Sequence, residues 1–421
     1  MKKKSAWLAL PLAGALLLGA CSSDSNDSTD AAVETTAVAE DTTATEAAVA
    51  ETTAADTAAS AETTAAATDT AAAAAGASLK DVCPETIVIQ TDWNPEAEHG
   101  ALYQMVGPSP TVDTDKKRVT GPLMDGATDT GVKIEIRVGG PAIAFETVVS
   151  TMYKDPAITL GYVATDDAVS TFSKFPTKAI VAPLNKNPQI IMWDPEKYKD
   201  VKTIAELPKD TKIRVFGPAA YLSYLVGAGI ITQDQIDGSY KGEPSAWVAD
   251  NGKSAQQGFA SAEPYFYEKE LKEWGKPVGY QLIHDAGWDV YAAALAVRSA
   301  DFDKNKECFK SFVPVVQRAA RDFVASPDAA NTLILDLVTK YNTGWVYTAG
   351  QAKASVEYQL KDALVANSPD GTLGSFEITR VDGFIKKALP IYEKEGTEVK
   401  ADLTSADIVT NEFIDPSIKL P

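Results

Sequence analysis

The groups with the most chemistry to offer follow directly on short β-rich runs. The first set is Asp92-Trp93-Asn94-Pro95-Glu96-Ala97-Glu98-His99, with Tyr103 one turn further on. Trp93 carries a π-face, and His99 a hydrogen-bond donor or acceptor. Trp93 is equally suited to packing between lobes, and His99 to a structural role. Asp92, Glu98 and His99 are residue types that do acid–base work, but helical spacing alone does not make them converge. Gly139-Gly140-Pro141 opens a helix, where adjacent glycines either leave N–H groups free for an anion or carbonyl or simply form a tight turn. Thr165 and Asp166, then Phe216 with Tyr221, then Glu263, and finally His284 and Trp288 stand in corresponding places after later strands. Thr165, Asp166 and Glu263 read equally well as contacts to a solute or as polar groups at a helix N-terminus. The chain has only two histidines, and both fall in this set. No H-E-x-x-H, G-x-S-x-G, P-loop or C-x-x-C pattern occurs, so stacking and hydrogen bonding are the chemistry on offer.

The elements that position these groups alternate between strand and helix. Thr86–Gln90 is a short β-branched run, and 132–138 alternates apolar and charged residues as a half-exposed strand does. Further strands are expected at 158–163, 178–182, 189–193, 212–216, 258–262 and 278–283. Helices are expected at 97–106, 141–153, 166–173, 219–228, 264–274 and 288–298, and helices dominate from Asp303, with Pro314 kinking one of them. Alternation of this kind predicts an α/β fold with parallel sheets. The crossings expected near Ala182–Asn185 and Trp274–Pro277 enclose an inserted lobe at 190–275, within a discontinuous lobe of 84–189 and 276–421. Ligands of open α/β sheets bind beyond the carboxyl ends of strands and in clefts between lobes, where the residues above would stand.

The order strand, Asp92-Trp93, Pro95, then His99-x-x-x-Tyr103 resembles the opening motif of the thiamine-pyrimidine-precursor group of ABC-transporter substrate-binding proteins, nitrate- and sulfonate-like proteins of the type II periplasmic binding fold. The likeness extends in weaker form over most of 84–300. It implies two lobes joined by a hinge, no catalytic residue and no cofactor or metal. The cleft would be lined by Asp92, Trp93, His99, Tyr103, Gly140, Thr165, Asp166, Phe216, Tyr221, Glu263, His284 and Trp288. The implied partners are a small solute and the permease and ATPase of an importer, with the chain a monomer. Fungal pyrimidine synthases related to this group carry a cysteine-rich iron motif, which is absent here. The several aromatic candidates favour a flat nitrogen heterocycle, such as a pyrimidine vitamin precursor or a flavin. The alternatives are a small oxyanion such as a sulfonate or nitrate, a surface sensor, and a pyrimidine-synthesis enzyme. An oxyanion calls for a cationic residue at the strand ends, and those positions hold neutral or acidic ones.

The N-terminal region carries a separate message. Lys2, Lys3 and Lys4 precede an apolar run and then Leu18-Gly19-Ala20-Cys21, a secretory signal over 1–20 whose last residues resemble the lipobox of bacterial lipoproteins. That resemblance implies a lipid on Cys21 and a place at the cell surface or in the periplasm. Residues 21–79 are nearly all Ala, Thr, Ser, Asp and Glu, with eleven acidic residues and no Lys, Arg, Pro or aromatic. Too little apolar surface is available to offset ordering, so this stretch is expected to be a disordered tether reaching roughly 40–45 Å. The net charge of −19 excludes the basic footprint of a nucleic-acid-binding protein. With Cys21 lipidated, Cys83 and Cys308 remain as an exported pair. They are expected to be bridged, the alternative being two separate thiols.

Overall fold

The structure, a computed structural model, describes residues 78–421. The signal segment, Cys21 and all but the end of the tether lie outside the described residues. That end is already folded in: Leu79 is fully buried and its N–H donates to the Thr130 carbonyl at 2.9 Å.

Two sheets organise the chain. The larger runs, in spatial order, β2 (Thr111–Asp113), β3 (Arg118–Asp125), β4 (Thr128–Arg137), β1 (Thr86–Gln90), β5 (Leu160–Val163), β12 (Ala294–Arg298) and β6 (Thr177–Val181). The smaller runs β11 (Gly279–Leu282), β7 (Gln189–Trp193), β10 (Ala255–Phe259), β8 (Ile213–Arg214) and β9 (Ile236–Asp237). Alternation along β1 sends Ile87 and Ile89 to one face, against Phe309 and Phe312 of the helix Lys306–Ala325. Val88 points to the other face, which packs on Val149 and Phe384 of the helices Val148–Lys154 and Ile378–Lys394. With both faces covered, the central strands are apolar throughout.

Several expectations need correction. The sheets are mixed: β1 is parallel to β4 and β5, but β12 is antiparallel to β5 and β6, and β7 is antiparallel to β10 and β11. The segment 288–298, expected to be helical, ends in β12, because an Ala-rich apolar run suits a strand buried on both faces as well as a helix. β11 was expected to return the chain to the larger lobe, yet it pairs with β7 in the smaller sheet. The return crossing therefore lies between Leu282 and Ala294, beyond the Trp274–Pro277 expected from sequence. β3 has no counterpart in the sequence reading, since Pro122 interrupts its pattern where the register with β4 shifts.

Cys83 and Cys308 form a disulfide that ties the start of β1 to the helix Lys306–Ala325, 225 residues on.

Candidate functional site

The turn after β1 and the turn after β4 lie against one another. The N–H groups of Gly139 and Gly140 donate to the carbonyls of Trp93 and Asp92, at 3.0 and 2.9 Å. These donors are thus spent on loop pairing and are not free for an anion, as the sequence had allowed. A Cβ on Gly140 would come within 2.7 Å of the Trp93 ring, and Gly140 has φ +53, so glycine here is what lets the indole lie against the loop. Trp93 is half-buried and sits 6.0 Å, centroid to centroid, from both Phe145 and Trp345, edge-on to the latter. Phe145 is 70% exposed. It and Ala144 both take left-handed backbone angles, φ 59 and 54, at a cost of about 1–2 kcal/mol each for a residue other than glycine. That backbone holds an apolar ring in the open beside Trp93.

His99 is 2% exposed, its Nε2 lies 2.9 Å from Asp92 Oδ1, and its Nδ1 has no hydrogen-bond partner. Its ring meets Tyr162 edge-on at 5.3 Å. Around it stand carboxyl groups. Glu98 accepts a hydrogen bond from the Ser261 hydroxyl, which follows β10, so this contact joins the two lobes. Glu263 accepts from the Phe259 N–H at 2.7 Å. Burial raises the Glu98 carboxyl to about 7, against the pull of Ser261 and His99. Burial likewise raises Glu263 to about 7, helped by Glu98. Glu96 is held well above the carboxylate range by burial, then by Glu98, Asp92 and Glu263.

A second pair of acids continues this band. Asp166 and Asp167 sit at the start of the helix Thr165–Thr171. Burial raises Asp167 to about 7, with Asp166 and Asp92 adding to it, and burial raises Asp166. Both line a cavity of about 750 Å³ whose far wall is Gly217, Pro218 and Gln233 of the smaller lobe. That volume lies in the range of small-molecule sites. None of the six carboxyls, Asp92, Glu96, Glu98, Asp166, Asp167 and Glu263, pairs with a lysine or arginine among the described residues; His99 is the one basic partner.

The other expected site residues are placed differently. Tyr103 is buried in the core of the larger lobe, its hydroxyl without a hydrogen-bond partner. The Thr165 hydroxyl exchanges hydrogen bonds with the Tyr291 main chain and is saturated by them. Trp288 is 2% exposed, packed on Phe384 and Tyr224, with its Nε1 donating to Asp166 at 3.4 Å. It supports the acid and does not stand at the cleft mouth. Tyr221 is buried, and its hydroxyl donates to Gln257 Oε1 at 3.0 Å. The same oxygen takes the Phe216 N–H, while the Phe216 ring is half exposed beside Tyr240.

His284 belongs to the crossings between the lobes. Arg380, on the helix Ile378–Lys394, donates to the Asn185 carbonyl of the first crossing and to the Asp289 and Val290 carbonyls of the second. It also faces His284 Nδ1 at 3.3 Å and lies 3.7 Å over the Tyr291 ring. Burial, then the Arg380 charge, lowers His284 to about 4, so it is neutral at ordinary pH. Sequence reading missed Glu96, Asp167, Ser261, Phe145, Trp345 and Arg380. Asp167 and Ser261 sat in strand-end segments already singled out, whereas Trp345 and Arg380 come from the helical region and have no local signal.

No family model matches the sequence, and no curated protein matches it. Solved structures do resemble the fold. The periplasmic sulfonate-binding protein of a putative sulfonate ABC transporter from Methylobacillus flagellatus superposes with a TM-score of 0.50 at 15% identity, over 78% of this chain and 92% of that one. The aliphatic sulphonate-binding protein of Escherichia coli gives 0.49 at 13%, covering 77% and 98%. The nitrate-binding protein of Synechocystis PCC 6803 gives 0.46 at 12%, covering 78% and 87%. At such identities it is the fold that is shared, and this chain has the two-lobed α/β architecture of the type II periplasmic binding proteins.

Proposed function

We propose that the chain is the extracytoplasmic solute-binding component of an ABC importer. It holds a small aromatic nitrogen heterocycle between its lobes, works as a monomer with a permease and an ATPase, and is anchored to the membrane by a lipid on Cys21. The observation that carries the heterocycle is Trp93, whose indole rests on a glycine loop with Phe145 and Trp345 beside it. An indole so placed can stack a flat ring. Asp92, His99, Glu98 and Glu263 supply hydrogen-bonding groups from both lobes, so a bound solute would hold the lobes together. In this reading no residue acts as a nucleophile and the solute leaves unchanged.

Thermal shift of the full chain against pyrimidines, flavins, sulfonates, nitrate and amino acids is the test, since a ligand bound by the folded state alone raises Tm. One heterocycle class should stabilise. Stabilisation by sulfonate or nitrate alone would replace the heterocycle with an oxyanion. Replacing Trp93 with Ala should weaken the stacked ligand by roughly tenfold or more; an unchanged affinity would place Trp93 outside the site.

A further inference from the structure

We infer that the solute carries a positive charge, and that Glu98 of the larger lobe and Glu263 of the smaller one are the residues that select it. The inference rests on reading the interlobe cleft as the solute site.

Six carboxyl groups face this cleft from the loops after β1, β5 and β10, and none has a lysine or arginine partner among the described residues. Elsewhere among the described residues the acids that are buried are matched. Asp125 takes both arms of Arg318, at 2.7 and 2.8 Å, Asp194 takes Lys276, and Asp250 takes Arg214. Withdrawing carboxyls from water without a cation costs stability, so partly buried acids gathered here with no lysine or arginine read as an unfilled complement. A second feature stands beside it: His99 is buried among these acids, with Nε2 on Asp92 and Nδ1 lacking any partner, so a polar group of this cluster is left open to a ligand or water.

A metal ion is the other cation to weigh. Among the described residues no group of three or more His, Cys, Asp or Glu side chains is arranged to hold one. The acids are spread along the cleft, and Trp93, Phe145 and Trp345 stand beside them. Rings beside carboxylates suit an organic cation: a protonated amine or ring nitrogen meets the acids, and its apolar part meets the aromatic faces. The raised Glu98 and Glu263 carboxyls fit this, because an arriving cation would stabilise their ionised forms.

The experiment compares four probes by calorimetric titration of the full chain: an aminopyrimidine with an aminomethyl arm, the same ring with a hydroxymethyl arm, choline and methanesulfonate, with zinc and calcium ions added separately. The aminomethyl compound should bind roughly tenfold or more tighter than its neutral twin, the worth of one charge-assisted hydrogen bond. Glu98→Gln and Glu263→Gln should each erase most of that preference, the aminomethyl compound losing more affinity than its neutral twin. Equal binding of the two pyrimidines would overturn the charge inference and leave the heterocycle reading standing. Binding of choline with neither pyrimidine would do the reverse. Binding of methanesulfonate alone, of a metal ion alone, or of nothing would overturn both.

Discussion

The two places where the lobes meet are built on opposite rules. At the crossings, one partly buried arginine answers several acceptors: Arg380 spans Asn185, Asp289, Val290 and His284 and lies over Tyr291. At the cleft, carboxyls accumulate without a cation, His99 Nδ1 has no partner and an exposed phenylalanine is held in a strained turn. A satisfied polar network fixes one geometry, whereas an unsatisfied one is a cost the free protein carries until something binds. The crossings thus contribute stability, and the cleft spends some of it.

Substitution at each place should therefore move stability in opposite directions. Arg380→Met keeps a long apolar stem but strands three main-chain carbonyls, which should destabilise the chain by about 2–4 kcal/mol. Glu98→Gln removes a buried acid that resists ionisation, and at pH 8 it should stabilise the free protein by about 1 kcal/mol. Urea midpoints for both variants at pH 8 decide the matter. A destabilised Glu98→Gln would show the cleft to be a structural network like the crossings.

Acidity gives the next contrast. Glu98, Asp167 and Glu263 are raised to about 7 in the folded chain, above the 4.5 of an ordinary Glu or 3.8 of an Asp. The groups around them are Asp92, Glu96, Asp166 and His99. Where folded values are raised, the native state binds more protons than the unfolded one. Their stabilisation is full below the unfolded values and is lost as pH rises through about 7. His284 runs the other way, lowered to about 4 from 6.5, and it favours folding as pH climbs to 6.5 and no further. Between pH 6.5 and 8 the raised cleft acids ionise in the folded chain, and Tm of the free chain should fall on the order of 5 °C. Calorimetry across that window checks it. Glu98→Gln should shallow the fall, while Arg380→Met should shift the curve without changing its slope.

How much of this was legible in sequence follows from the range of the interactions. β1 and the acids and aromatic after it announced themselves through a β-branched run followed by Pro95, both local signals. The pairing of Cys83 with Cys308 was expected from counting thiols in a chain whose first residues read as an export signal. Trp288 and Tyr103 are buried in the cores, because an aromatic beside a strand end packs inward as readily as it lines a cleft. Glu98 was visible as an acid–base residue type beside Asp92 and His99, but its convergence with Glu263 across the cleft has no signal in helical spacing, and Glu96 stood in that segment without a role. Arg380 had no local signal at all, because its partners lie about 90 to 195 residues away. The clamp at the crossings was thus hidden, and the cleft half visible.

Phe145 sharpens the comparison with the smallest effect on folding. Its ring is 70% exposed and touches Trp93 only at 6.0 Å between centroids. Truncation to alanine forfeits little burial and should change stability by no more than about 0.5 kcal/mol. If the strained turn exists to present this ring, the same truncation should weaken a cationic heterocycle by roughly threefold to tenfold, the usual worth of one partly exposed aromatic face. Paired denaturation and titration of Phe145→Ala separate the possibilities. Lost affinity with unchanged stability assigns the ring to the solute. Lost stability with unchanged affinity would make Phe145 part of the scaffold, and the left-handed backbone at Ala144 and Phe145 would then have to be explained by how the loop folds.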